Sequence, residues 1–450
     1  MRCKWMAIAM VVFAVPWARG QQIDPAKLSD PATREMIQGL LSRIDRLEKR
    51  VGELEQERAA LTAPSPARAA TPAPARPATA NVHLTHEQVP PPEEAQPVYP
   101  SLKISGFGDV DYSATNLHGP NGGFQPETLL GQHSGFSEGQ FTLHLSSALS
   151  PRVTVFGELT LTGRGDAGQG SPAAPGFNAE VERLIIRYDL NDYFKLSFGR
   201  YHTPINYWNT AYHHGEWLQT TISRPEMIQF GGGFLPVHFI GALAQGSIPA
   251  GGLNLNYDVG LGNGRAAVLS RGGDIGDINN NRAWLVNAFV KPDFLYGLQI
   301  GGSVYRDKLN PLVAPAAREW IEAGHIVWAR ESPEFIAEFA NVSHTPIAGA
   351  VPGVAPGAGV ASNSQAFYVQ TAYRLPGAAR LFKPYYRFEY MHIPQADAIF
   401  RGLEPSFTAS TGGVRYDITT FAAFKLEYRR YQVRHMPDFQ GVFLQTSFTF

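Results

Sequence analysis

Two clusters of side chains carry donor atoms at spacings that metal chemistry uses. His213, His214 and Glu216 sit together, with His202 upstream, and imidazoles with a carboxylate form a zinc donor set. Asp274, Asp277, Asn279 and Asn281 in "GDIGDINNN" offer the oxygen atoms that calcium takes. Neither cluster is compelling. Adjacent histidines in a loop more often sit in water than on zinc, and the Asp/Asn run lacks a calcium-loop spacing. The chain also lacks a Gly-x-x-x-x-Gly-Lys-[Ser/Thr] phosphate-cradling loop. The residues therefore point away from an enzyme, and no metal or cofactor is expected.

The setting of the histidines is more informative. "INYWNTAYHHGEWLQTTISRPEM" holds Tyr207, Trp208, Tyr212, Trp217 and Arg224 around them, large rigid groups where an exposed loop would carry small polar ones. What positions such a segment has to be read from the rest of the chain. Its 450 residues are 44% hydrophobic and only 17% charged, with 12% aromatics and 45 glycines. That composition is not disordered, and a net charge of −1 gives no reason to expect nucleic acid.

Residues 1–20 read as a secretory signal. Arg2 and Lys4 precede the apolar run Met6–Val15, and Ala18-Arg19-Gly20 offers a small-x-small cleavage site. The sole cysteine, Cys3, falls within it. Residues 33–61 read as a short periplasmic coiled coil, with Ile37, Leu40, Ile44, Leu47, Val51, Leu54 and Leu61 along a heptad seam interrupted by Arg58. Ile or Val at a with Leu at d leans towards two strands. Residues 62–100 are a Pro/Ala-rich linker, which at ~3.1 Å per residue reaches at most on the order of 120 Å.

Residues 101–450 are strands and turns. "YYRFEYMH" sets Tyr386, Phe388 and Tyr390 against Arg387 and Glu389, and "FKLEYRRY" sets Phe424, Leu426 and Tyr428 against Lys425, Glu427 and Arg429. A soluble sandwich would alternate in the same way. The connections decide between them. Strands are expected at 102–114, 136–149, 152–163, 180–190, 193–203, 236–246, 252–263, 282–291, 295–306, 318–330, 334–344, 364–375, 383–394, 406–417, 420–432 and 441–450. Tight links such as "SP", "ND" and "KPD" then alternate with longer Gly/Asn/Pro-rich loops. An even strand count with short turns at one end and long loops at the other describes an all-β, sixteen-stranded antiparallel transmembrane barrel. Phe450 would close the last strand against the first, near Ile104, so that no edge is left in lipid.

The barrel region resembles general bacterial outer-membrane porins and, within them, the phosphate-selective porin O/P family. The terminal "LQTSFTF", the opening "LKISGFGDVDYS" and "LIIRYDLNDYFKLSFGRYHTPINYWN" at 184–209 carry the resemblance. It implies an exported, multi-pass outer-membrane protein contacting lipid. It implies a homotrimeric channel for small hydrophilic solutes or ions, with a third outer loop folded into the pore and anions such as phosphate held by lumen Arg and Lys.

Loop 204–235 is the third and longest of the expected outer loops. Tyr207, Trp208, His213, His214, Glu216, Trp217 and Arg224 are its expected constriction groups. The inward strand positions include Lys103, Arg183, Arg187, Lys195, Arg387, Arg415, Lys425 and Arg429. Equal numbers of acids accompany them: Asp109, Asp111, Glu158, Asp258, Glu334, Glu338, Glu389 and Glu427. Arg183, Arg187 and Lys195 flank the loop, and with Arg387, Lys425 and Arg429 they are the candidate solute-facing charges. The alternative is a structural protein that tethers the outer membrane to the cell wall through its coiled coil.

Overall fold

The alternation along residues 101–450 is realised in the computed structural model as sixteen strands closed into one antiparallel barrel. The structure describes Lys49 and residues 99–117, 134–164, 171, 173, 175–212, 215–229, 232–274, 276–312, 314–347, 361–434 and 436–450. The expected signal and coiled coil lie outside the described residues except for Lys49, and the expected linker except for Tyr99 and Pro100. The first half contains β1 (Lys103–Thr115), β2 (Gly135–Ser150), β3 (Val153–Gly163), β4 (Phe177–Asn191), β5 (Phe194–His202), β6 (His238–Ile248), β7 (Leu255–Asn263) and β8 (Ala283–Val290). The second contains β9 (Leu298–Leu309), β10 (Ala317–Trp328), β11 (Glu334–Pro346), β12 (Ser362–Ala372), β13 (Phe382–His392), β14 (Phe407–Thr419), β15 (Ala422–Val433) and β16 (Phe439–Thr449). Every expected strand is present, with its ends moved by at most three residues. One connection departs from expectation. The link between β9 and β10, 310–316, is as short as the 291–297 turn, because both strands extend into the expected loop.

Along β13, Lys383, Tyr385, Arg387, Glu389 and Met391 are buried, while Phe382, Pro384 and Tyr386 are exposed. Along β15, Lys425, Glu427 and Arg429 are buried, and Phe424, Leu426 and Tyr428 are exposed. Charges inside and carbon outside reverse the order of a soluble protein. An exterior of this kind is matched to hydrocarbon, and ring closure satisfies every edge without water. Among the described residues no helix is long and apolar enough to cross a membrane.

The barrel closes between its first and last strands. Gly106 and Phe450 exchange both backbone hydrogen bonds, at 3.0 and 3.1 Å. The rings of Phe448 and Phe450 lie over Gly108 and Gly106, where a Cβ would fall 2.6 Å from a ring carbon. Phe450 also stacks on Phe141 of β2, at 5.7 Å.

The third outer connection, L3 (203–237), turns into the barrel. Its Ile205, Trp208, Met227, Ile228, Phe234 and Leu235 share one apolar cluster with Leu285, Tyr305, Leu309, Ile321, Ala340, Tyr368 and Met391 of the inner wall. Much of the apolar burial therefore lies between L3 and the lumen face of β8–β13.

The close approach at the seam makes Gly106 intolerant of a side chain. Gly106→Val places its Cβ 2.5 Å from the Thr142 carbonyl oxygen as well as against the Phe450 ring. Overpacking of this kind costs about 1–3 kcal/mol. Gly106→Val is expected to lower the temperature at which the folded barrel shifts to its unfolded mobility on gels, whereas Ile104→Leu, on an outward position, leaves it unchanged.

Candidate pore constriction

L3 enters the lumen at Asn206, whose φ of 61° is a left-handed conformation that asparagine tolerates better than most residues. The Asn206 N–H donates to Ser303 Oγ at 2.9 Å, and its amide donates to the Phe339 carbonyl at 3.2 Å. The Asn209 side chain closes the neck by donating to the Thr203 and Val237 carbonyls, at 3.0 and 2.8 Å. A single helical turn, Trp208–Ala211, follows. Glu338 of β11 accepts the Tyr207 and Trp208 N–H groups, both at 2.7 Å, where a helix start leaves donors unsatisfied.

The far limb of L3 is held in the same way. Glu427 of β15 accepts the Ile222 N–H at 2.9 Å and the Ser223 hydroxyl at 2.8 Å. Glu389 accepts the Glu226 N–H at 2.7 Å, and Glu334 accepts the Thr220 hydroxyl at 2.9 Å. Cations take the carbonyls. Arg387 donates to the Ser223 and Arg224 carbonyls at 2.8 and 3.0 Å, and Arg415 to those of Trp217 and Gln219 at 2.6 and 3.0 Å. Lys425 donates to the Thr221 carbonyl at 3.0 Å and also to that of Glu216.

These contacts assign the expected site residues to different tasks. Trp208 is 0% exposed, with its ring edge-on to Tyr212 and Tyr368, and Tyr207 and Arg224 are also buried. Burial takes all three off the water-facing surface. Arg387 and Lys425 are inward as expected but are committed to L3, and Arg429 pairs with Glu427 at 2.5 Å above the Phe443 ring. His213 and His214 lie outside the described residues. Among the described residues of L3, Thr210 is exposed, and Ala211, Tyr212, Glu216, Trp217, Leu218, Glu226, Gln229 and Gly232 are half-buried.

Trp217 leads to the opposite wall. It stacks on Phe107 of β1 at 6.5 Å, Phe107 meets His144 at 5.1 Å, and His144 meets Phe156 at 5.2 Å. The Arg183 guanidinium lies 4.4 Å from the centre of the Phe156 ring and pairs with Glu158 at 2.6 Å. Arg187 pairs with Asp189 at 2.7 Å, and Lys195 is half-buried nearby. Sequence reasoning missed Glu182, which pairs with His238 at 2.7 Å and lies 3.7 Å from Arg200. The β3–β4 register shifts between Glu158 and Leu159, leaving Glu182 as an extra residue that simple alternation does not place. His144 was legible, since it shares the parity of Thr142 on β2.

A second loop, 393–406 between β13 and β14, secures the return limb of L3. Phe400 stacks on Phe234 at 5.4 Å. Asp397 accepts from His344 Nδ1 at 2.9 Å, from Ser364 Oγ at 2.7 Å and from the Ile399 N–H at 3.0 Å. Burial alone would raise the Asp397 carboxyl. The hydrogen bonds and the His344 charge outweigh it and hold the group below the usual carboxylate range.

The fold, a closed sixteen-stranded antiparallel barrel, is similar to that of solved porin and outer-membrane channel barrels. The chain is similar to the anion-selective porin of Comamonas acidovorans, with a TM-score of 0.51 and 10% identity over 78% of this chain and 100% of that one. The channel DcaP of Acinetobacter baumannii gives 0.50 and 12%, over 78% and 97%. OmpF of Salmonella typhi, solved with daunomycin, gives 0.50 and 11%, over 78% and 97%. No family model matches the chain, and no curated protein matches it.

Two outcomes follow from the bonding of these loops. Arg387→Met strips two L3 carbonyls of a buried charged donor, and losing one partner of a buried ionic contact costs about 3–5 kcal/mol. Hydrogen exchange at 220–227 should accelerate strongly, while Arg187→Met, at a half-exposed pair, leaves it near the starting rate. The Asp397 latch follows pH with a definite sign. A depressed carboxylate contributes stability above its unfolded value, about 3.9, and loses it as pH falls through the folded value. Exchange at 397–404 should therefore stay slow from neutral pH down to about 4 and rise below that, whereas Asp397→Asn exchanges fast throughout.

Proposed function

We propose that the chain is an outer-membrane porin, a water-filled channel for passive diffusion of small hydrophilic solutes. The observation that carries this is the seating of L3. A loop bonded to the inner wall by buried carboxylates and cations narrows the barrel at a fixed place, and that place is lined by Trp217, Leu218 and Glu216. The gap is bounded opposite by the wall that bears Arg183, Arg187 and Lys195.

The finer reading is a preference for small anions, phosphate among them. With Arg387, Arg415 and Lys425 committed to L3 carbonyls, the half-buried cations of β4 and β5 are the ones that passing solutes meet. Glu158, the partner of Arg183, is buried beneath it. One of the similar barrels is described as anion-selective. The same reading takes residues 1–20 as the signal, 33–61 as a periplasmic coiled coil, 62–100 as its linker and the barrel as a homotrimer.

Planar-bilayer recordings test it. Wild-type protein should give ohmic steps with a reversal potential on the anion side in a salt gradient. Trp217→Ala should raise single-channel conductance. Trp208→Ala, at a buried site, should add noise without widening the open level. Arg187→Glu should move the reversal potential towards cations, since charges more than ~8 Å away are screened at physiological salt. The proposal fails if purified, heat-modifiable barrel conducts nothing, and the anion reading alone fails if Arg187→Glu has no effect.

A further inference from the structure

Two arginines near the outer rim of the barrel have carboxylate partners. Arg430 of β15 pairs with Asp438 at 2.8 Å, and Arg282, just before β8, pairs with Asp277 at 2.7 Å. The wall of β9 and β10 differs. Along β9, Arg306 and Lys308 alternate with buried Tyr305, Asp307 and Leu309, and along β10 exposed Arg318 lies between buried Ala317 and Glu319. All three cations therefore face outwards, and among the described residues none of them has a carboxylate partner. Lys308 and Arg318 are directly opposite each other in the ladder, and Arg306 is the next outward residue below, opposite Trp320. Like charges set opposite one another on one face of a sheet destabilise the pair. The outward carboxylate of this ladder, Glu322, is opposite Val304, one outward pair deeper than Arg306. It leaves the wall with positive charge in excess.

The level of the patch indicates its counter-ion. Arg318 stands ten residues above Trp328, the inner end of β10. With ~3.3 Å of rise per residue and a tilt of about 40°, that is roughly 25 Å, the top of an apolar band about 25 Å tall. Trp284 and Trp320, edge-on to each other at 5.5 Å, mark the same interface, where tryptophan collects. The Arg306 guanidinium lies 5.8 Å from the centre of the Trp320 ring. At that height the wall meets lipid headgroups rather than acyl chains.

We propose that the outer face of β9–β11 binds the phosphorylated head of an outer-leaflet glycolipid. Phosphates supply the negative charge that Arg306, Lys308 and Arg318 lack, and the planar fork of arginine matches a phosphate bidentately. The sugar has polar partners on the adjoining strands. Thr345 is opposite Arg318, and Ser343, opposite Trp320, donates to Asn363 Oδ1 at 2.5 Å. Beneath the head the wall is cut back. Ala288, Gly302 and Gly324 are adjacent in register on β8, β9 and β10, with Ile300 and Ile326 exposed below them. A Cβ on Gly302 or Gly324 would meet only backbone, so an acyl chain has room there. The inference rests on the exterior facing an outer-membrane leaflet and is independent of conduction.

Lipid binding to the purified, heat-modifiable barrel, read by native mass spectrometry, tests it. The probes are a bis-phosphorylated diglucosamine lipid and the same lipid with both phosphates removed. The wild-type barrel should hold the phosphorylated lipid much more tightly. Combining Arg306→Gln, Lys308→Gln and Arg318→Gln should weaken it on the order of a hundredfold, at about fivefold per charge. Binding of the dephosphorylated lipid and single-channel conductance should not change. Arg318→Lys, which keeps the charge, should retain most of the affinity. Equal binding of both lipids to the wild-type barrel, a result that needs no variant, overturns the inference. Undiminished affinity in the triple variant overturns it too, as does displacement of the lipid by an equal concentration of inorganic phosphate. A barrel that conducts nothing yet binds the phosphorylated lipid in this way contradicts the porin reading and leaves this one standing.

Discussion

A loop carried into the interior of a barrel brings backbone N–H and C=O groups that no β-ladder satisfies, and everything about this lumen follows from how they are met. Each such group is costly to leave bare away from water. The wall answers with charge of the correct sign. Carboxylates of Glu338, Glu389 and Glu427 accept the N–H groups of L3, and Arg387, Arg415 and Lys425 donate to its carbonyls. Charge-assisted bonds of this kind are stronger and more directional than neutral ones. Part of the inward charge, four of the acids and three of the bases, is therefore a bonding requirement of the loop.

Two consequences follow for the lumen. Arg387, Arg415 and Lys425 are bonded to L3, whereas Arg183 and Arg187 of β4 keep partial exposure. The bulky aromatics of L3 divide by face. Trp208 sits at the wall, edge-on to Tyr368 and with Arg387 5.9 Å from its ring, while Trp217 bridges towards Phe107. Rigidity on the hidden side fixes the position of the side that water meets.

Much of this was legible in the residues. Period-two alternation and the contrast of turn and loop lengths were enough for all sixteen strands, because lipid outside and water inside impose opposite characters on alternate positions. The inward parity of Arg387, Lys425 and Glu427 was readable for the same reason. Their partners were not, since they are backbone atoms of a loop whose path follows no periodicity. The same gap explains Tyr207, Trp208 and Arg224. Composition marks L3 as inward-folding, but which aromatic faces water depends on the turn at Asn206, a single left-handed residue. Glu182 escaped because a bulge displaces it from the alternation that served its neighbours.

The central claim is that L3 lies inside the barrel with one face bonded to the wall and the other in the aqueous path. Thiol accessibility tests it most directly, in a chain whose sole cysteine, Cys3, falls within the expected signal. Leu218→Cys and Ile222→Cys are each exposed to a charged, water-borne thiol reagent during single-channel recording. The account expects rapid modification of Leu218→Cys with a stepwise fall in current, and protection of Ile222→Cys, whose backbone N–H is bound to Glu427. Equal modification of both positions, or modification of Leu218→Cys without any change in current, would place the loop outside the conducting path and contradict it.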